Sequence, residues 1–79
     1  MTPLDQVLEI VRAQVAGAAD TSLDATTQAA DLRGWDSVAM VNVLFEMEER
    51  FGVEFTSRQM ERADGVPSLL QILAEARGR

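Results

Sequence analysis

Apolar residues recur at helical spacing in three segments of this 79-residue chain. A repeat at intervals of three and four residues places side chains on one face of a helix. The first segment follows Thr2, Pro3 and Asp5, which supply a hydroxyl cap, a first-turn proline and a first-turn acid. We expect this helix to end at Gly17. Its inward-facing residues are Leu4, Val7, Leu8, Val11 and Val15.

The second segment gives the strongest helical pattern and begins with Asp36 and Ser37. It runs to about Phe51 and is followed by Gly52, a residue that suits the position after a helix. The expected buried stripe consists of Val41, Leu44, Met47 or Glu48, and Phe51. The apolar residues that lie off this stripe are Val38, Met40 and Phe45. Such surplus apolar surface on a helix often contacts a partner or a ligand.

Two more helices are expected near the C-terminal end. Thr56 caps a short helix over residues 57–63, which Gly65 interrupts. Pro67 and Ser68 then begin a final helix, because proline is favoured in the first turn. The inward-facing residues of this helix are Leu69, Ile72, Leu73 and Ala76.

Residues 18–36 show no sustained periodicity, and we expect a long loop there. A loop of this length is uncommon in a small domain unless it has a function or is attached to the core. Leu23 and Leu32 are the expected attachments, because leucines gain free energy on burial. The predicted fold is all-α: a small four-helix bundle with a long loop between helices 1 and 2 and a short third helix. We expect one domain over residues 1–79.

The composition excludes several kinds of function. Cysteine, histidine and lysine are absent, which removes thiolate nucleophiles, imidazole bases and the usual zinc ligands. We therefore expect neither an enzyme nor a metal site. The net charge of −6 disfavours nucleic-acid binding, which needs clustered Lys and Arg. The sequence has no run long enough for a membrane span and no signal peptide, so we expect a cytoplasmic protein without membrane insertion.

Residues 31–38, Asp-Leu-Arg-Gly-Trp-Asp-Ser-Val, resemble the attachment signature of acyl and peptidyl carrier proteins, with one residue more than the usual Asp-Leu-Gly-x-Asp-Ser-Leu. The resemblance continues in residues 46–55, which are similar to the family's acidic helix end and its Phe-Gly-Val continuation. Residues 68–73 are similar to the start of its last helix. The resemblance covers essentially the whole chain.

The resemblance implies that Ser37 carries a 4′-phosphopantetheine arm, transferred from coenzyme A by a phosphopantetheinyl transferase. The arm's thiol would hold an acyl or aminoacyl group as a thioester. The implied partners are that transferase, an adenylating or acyltransferase loading enzyme, and downstream biosynthetic enzymes, and we expect the carrier to be a monomer. The physical setting of Ser37 agrees, because the N-terminus of a helix favours a phosphodiester.

The same resemblance places partner docking on the residues around Ser37. The docking candidates are Trp35, Val38, Met40, Phe45, Glu48 and Glu49. Among them we expect Met40 and Phe45 to be exposed, whereas Val41 suits the core.

Other readings of these residues stay open. The alternative for Trp35 is a half-buried ring that seals the loop against the core, with its N–H meeting a carbonyl or a water. Asp36 either helps the transferase to dock or only caps the helix. The acids at 46, 48 and 49 are either a docking surface or a solvated face.

Two observations bear on the pathway. Carriers of bacterial fatty-acid synthesis typically have Leu after the serine and early acids in this helix, whereas this chain has Val38, Ala39, Met40 and Asn42. We therefore expect a discrete carrier of a specialised pathway, such as polyketide or nonribosomal peptide synthesis, and its start at Met1 favours a free-standing chain. The alternatives are a housekeeping fatty-acid carrier and an unmodified helical interaction module that binds a partner through Met40 and Phe45.

Overall fold

The structure, a computed structural model, describes residues 1–78. Its helices are α1 (Pro3–Gln14), α2 (Ser37–Phe51), α3 (Ser57–Arg62) and α4 (Val66–Arg77), with 3-10 turns at Ala18–Asp20 and Ala29–Asp31. Within this range there is no strand, and no helix is long and apolar enough to cross a lipid bilayer. The predicted all-α bundle with a long first loop and a short third helix is confirmed.

Local capping explains most of the helix boundaries. Thr2 Oγ1 accepts a hydrogen bond from the N–H of Asp5 at 3.1 Å, and Gly52 ends α2 in the left-handed region. Helix α1 ends at Gln14, three residues before the predicted end at Gly17. The reason is tertiary, because Ala16 pairs as an isolated β-bridge with Gly34 of the long loop.

The core lies between α1, α2 and α4. Its fully buried side chains include Val7, Ile10, Val11, Val43, Met47, Leu69, Ile72 and Leu73. The inward face predicted for α4 is confirmed, whereas Ile10 was missing from the stripe predicted for α1. Leu23 is buried and Leu32 packs half-buried against the core, so both predicted loop attachments are confirmed.

The buried face of α2 agrees with the predicted one at Leu44, Met47 and Phe51 and differs from it at the start of the helix. Met40 is 9% exposed and Val41 is 45% exposed, so both expectations were wrong. The observed stripe contains Met40, Val43, Leu44, Met47 and half-buried Phe51. It has the same helical period as the predicted stripe but begins one residue earlier. Met40 and Val41 can both continue the stripe toward the start of the helix, and tertiary packing selects Met40.

Two backbone bridges hold the long loop against the bundle. Besides the pair Ala16 and Gly34, Gln28 pairs with Gly65. A Cβ atom on Gly34 would overlap the backbone of Ala16, and one on Gly65 would lie 2.7 Å from the Cα of Gln28. Side chains are therefore excluded at both glycines by close backbone contact. These contacts attach the loop to the residues just after α1 and to the residue just before α4.

Polar contacts between helices complete the bundle. Arg62 of α3 forms two hydrogen bonds of 2.8 Å with the carboxylate of Glu75 on α4, and this contact raises the pKa of the Arg62 guanidinium. Arg50 of α2 pairs with Glu9 of α1 at 3.1 Å. The bidentate geometry at Arg62 fixes the orientation of the short helix α3 relative to α4.

Candidate functional site

The start of α2 presents an exposed serine hydroxyl group to solvent. Asp36 has an extended backbone and its Oδ1 accepts a hydrogen bond of 2.8 Å from the N–H of Ala39. Ser37 is the first residue of the helix and is exposed. Across residues 1–78 no hydrogen-bond partner is found for its Oγ. The first N–H groups of a helix lack intrahelical acceptors, so an anion on this oxygen is favoured electrostatically.

Beside Ser37 lies a groove of about 570 Å³ between α2 and the α3 region. It is lined by Ala29, Trp35, Asp36, Ser37, Met40, Val41, Leu44, Phe45, Met60, Glu61, Ala63 and Asp64. Most of these side chains are apolar, and the polar ones are three carboxylates and Ser37 itself. Residues from the long loop, α2 and α3 meet here, so the groove is a product of the tertiary fold.

Trp35 is more deeply buried than the sequence suggested. It is 5% exposed and belongs to the core cluster, so it offers a docking partner almost no surface. Among residues 1–78 no carbonyl accepts a hydrogen bond from its buried Nε1. The ring seals the base of the groove directly before Asp36.

The exposed apolar face of α2 consists of Val38, Val41 and Phe45, which are 69%, 45% and 56% exposed. Their spacing of three and four residues places them on one side of the helix. The expected exposure of Phe45 is confirmed, whereas Met40 was wrongly expected to be exposed and contributes only to the groove wall. The sequence contained the correct signal, because positions 38, 41 and 45 share one helical face.

The glutamates near the end of α2 have different roles. Glu48 is half-buried and its Oε2 accepts a hydrogen bond of 2.8 Å from the N–H of Phe55. This carboxylate therefore takes part in the fold, and its role in docking stays a prediction. Glu46 lies 3.7 Å from Arg50. Glu49 is exposed, and its role in docking stays a prediction.

The model of one protein family, described as the phosphopantetheine attachment site, matches residues 5–74. The chain belongs to this carrier family. No curated protein and no solved structure matches it. Domains of this family are carriers without catalytic activity, and they hold 4′-phosphopantetheine covalently. A carrier domain of this kind interacts with a phosphopantetheinyl transferase and with the enzymes that use its cargo.

The residues of this carrier domain fit such an arm. Ser37 would hold the phosphate ester, since its hydroxyl is exposed and unpaired, and the free N–H groups of the first helical turn would face the anion. Met40 and Val41 provide apolar surface beside it. When bound, the arm supplies a terminal thiol that holds an acyl group as a thioester, a chemistry that a chain without cysteine lacks.

Proposed function

We propose that Ser37 is the attachment residue and that the domain presents an acyl or aminoacyl group to the enzymes of a specialised biosynthetic pathway. The observation that supports this proposal is the exposed, unpaired hydroxyl of Ser37 at the first position of α2, beside the groove. A transferase reaches this oxygen without unfolding any part of the bundle.

In the attachment step, the Ser37 oxygen attacks the phosphorus that joins pantetheine to the rest of coenzyme A. The new bond is a phosphodiester, adenosine 3′,5′-bisphosphate leaves, and a base on the transferase takes the serine proton. The carrier has no histidine or lysine that could take this proton in place of the transferase base. Its contribution is to expose the oxygen and to stabilise the resulting negative charge at the helix N-terminus.

The other serines suit attachment less well. Ser68 Oγ accepts hydrogen bonds from the N–H groups of Asp64 and Gly65 and donates one to the Gly65 carbonyl. Ser57 is exposed at the first position of α3 but does not line the groove. Ser22 lies in the long loop outside any helix. Among the four serines, all of which lie within residues 1–78, only Ser37 is exposed at the start of a helix and also lines the groove.

The proposal of a specialised pathway rests on the surface around Ser37. The first turn of α2 contains no acid, and its exposed residues Val38 and Val41 are apolar. Enzymes that recognise this carrier would therefore contact an apolar face, with Phe45 at one end and the acid Glu49 beyond it. A carrier of fatty-acid synthesis typically has acids early in this helix, which is why that alternative is less favoured.

Intact mass spectrometry after incubation with coenzyme A and a broad-specificity phosphopantetheinyl transferase tests the attachment site. We expect one phosphopantetheine on the unmodified chain and none on Ser37→Ala. Ser57→Ala is the matched control, because Ser57 has the same position in α3, and it should accept one arm. Modification that survives Ser37→Ala would contradict the proposal. A chain that takes no arm but binds a partner through Phe45 would favour the interaction module instead.

A further inference from the structure

The charge of the groove beside Ser37 is one-sided. Among residues 1–78, Asp36, Glu61 and Asp64 line it and no Arg does. Since the chain has no lysine at all, the walls carry three carboxylates and no compensating cation. The remaining lining residues are apolar apart from Ser37. The groove therefore combines an apolar surface with a negative rim.

Two of these carboxylates are available to a ligand. Among residues 1–78, neither Glu61 nor Asp64 has a side-chain hydrogen bond or ion pair. Of the two arginines of α3, Arg58 does not line the groove, and Arg62 is held by two hydrogen bonds to Glu75 on α4. Arg62 therefore neutralises a different carboxylate. The rim of the groove keeps its negative charge because Arg62 is paired with Glu75 and not with Glu61 or Asp64.

An exposed aromatic ring lines the same groove. Phe45 is 56% exposed and contributes to the wall, and the face of an aromatic ring attracts cations. Trp35 also lines the groove but is 5% exposed, so its ring adds little accessible surface. Carboxylates together with aromatic rings are the groups with which proteins bind ammonium. We infer that the groove binds an ammonium group on cargo carried by this chain, so that the cargo is an aminoacyl or other amine-bearing acyl group.

This inference rests on the proposed function, since Ser37 is what brings the cargo to the groove. From Ser37 to Phe45 the helix advances by about 12 Å at 1.5 Å per residue, so an arm anchored at Ser37 can follow the groove. A neutral acyl group gains only apolar contact there. An acyl group that ends in a carboxylate is repelled by the rim, because like charges at short range raise the free energy of binding.

Three amides of the pantetheine analogue in which an amino group replaces the thiol test this selectivity: those of butyric, 4-aminobutyric and succinic acid, which have nearly equal length. Their amide links prevent hydrolysis and prevent the amine from cyclising onto the carbonyl. Each compound is titrated into the unmodified chain, and backbone NMR shifts of the groove residues give the Kd. We expect the 4-aminobutyryl compound to bind about two- to fivefold more tightly than the butyryl compound at low salt. The succinyl compound should bind most weakly, and the differences should shrink as salt is added.

Paired substitutions locate the effect. The double variant Glu61→Gln, Asp64→Asn should lose most of the preference for the 4-aminobutyryl compound, because it keeps the shape of the rim and removes two of its three negative charges. The third carboxylate, Asp36, already accepts the N–H of Ala39. Glu49→Gln is the matched control, an exposed acid of α2 that does not line the groove, and it should keep the preference.

Several results would overturn the inference: equal binding of the three compounds, tightest binding of the succinyl compound, a preference that survives the double substitution, or no groove shifts with any compound at millimolar concentration. Because the compounds are added as free ligands, these measurements do not depend on attachment at Ser37. Failure of the attachment test and failure of the selectivity test are therefore distinguishable.

Discussion

Helices α2 and α3 begin in nearly the same way. Asp36 and Thr56 each have an extended backbone, and each side chain accepts a hydrogen bond from the N–H three residues later, at 2.8 and 3.1 Å. Each cap is followed by a serine that is exposed to solvent. By capping geometry alone, Ser37 and Ser57 are equivalent.

The surroundings of the two serines differ. At α3 the cap is reciprocal, because Gln59 is buried and its Oε1 accepts a bond of 2.9 Å from the N–H of Thr56. Ser57 is also absent from the groove lining, whereas Ser37 belongs to it. The comparison teaches that an exposed serine on a helix start is common and that the neighbouring groove is what distinguishes a candidate attachment site.

The largest expected effect is on attachment of the arm, and it is tested by giving α3 the Asp-Ser pair of α2. In the double variant Ser37→Ala, Thr56→Asp, we expect no phosphopantetheine on Ser57, because the pair lies away from the groove. Aspartate is a good N-cap, so α3 should remain folded. Intact mass after transferase treatment measures the result, and circular dichroism checks the fold. A mass gain on Ser57 would show that an Asp-Ser pair at any helix start is sufficient.

A smaller effect, on stability, is expected from Gly34→Ala, which disturbs only the loop segment before α2. The new methyl group would overlap the backbone of Ala16, so the loop must shift, and we expect a loss of about 1–3 kcal/mol in the free energy of unfolding. Urea denaturation measures this loss. Backbone NMR shifts should change at Ser37 and not at Ser57.

Gly78→Ala is the control for that substitution, because a Cβ there would meet its nearest atom at 3.4 Å. Its free energy of unfolding should stay within about 0.5 kcal/mol of that of the original chain. If Gly34→Ala is equally neutral, the bridge to Ala16 does not hold the start of α2.

The smallest effects separate capping from recognition. Asp36→Ala and Thr56→Ala should each cost about 1 kcal/mol of unfolding free energy, because each removes one helix cap. Asp36→Asn should keep this stability, since asparagine caps equally well. If the charge of Asp36 also guides the transferase, Asp36→Asn should accept the arm more slowly, whereas Thr56→Ala should accept it at the normal rate. Equal rates in all three variants would assign Asp36 to capping alone.

The sequence predicted the helices well because their signals are local. Thr2, Asp36 and Thr56 are caps whose partners lie three residues away, and Gly52 marks an end for a similar reason. The start of the buried stripe of α2 was misassigned because Met40 and Val41 are both apolar and only tertiary packing distinguishes them. Periodicity gives the spacing of a stripe but not always its direction.

The groove and the loop contacts were beyond the sequence for a different reason. The groove joins residues from Ala29 to Asp64, which no local pattern connects. The role of Glu48 as an acceptor for the Phe55 N–H also arises from a return of the chain after Gly52. Gly34 and Gly65 gave a partial signal, since glycine can indicate close backbone contact, but the contacting segments were not identifiable.

The bridges from Gly34 to Ala16 and from Gln28 to Gly65 also have a mechanical consequence. They join the loop that leads into Ser37 to the residues after α1 and before α4. The proposed anchor of the arm is therefore a pivot that the loop holds in place. An arm on such a pivot sweeps a volume set by its own length, and the loop adds nothing to that reach. The depth of the active site that the arm can reach therefore depends on where the enzyme docks on α2. Movement of the loop does not compensate for an enzyme that docks too far away.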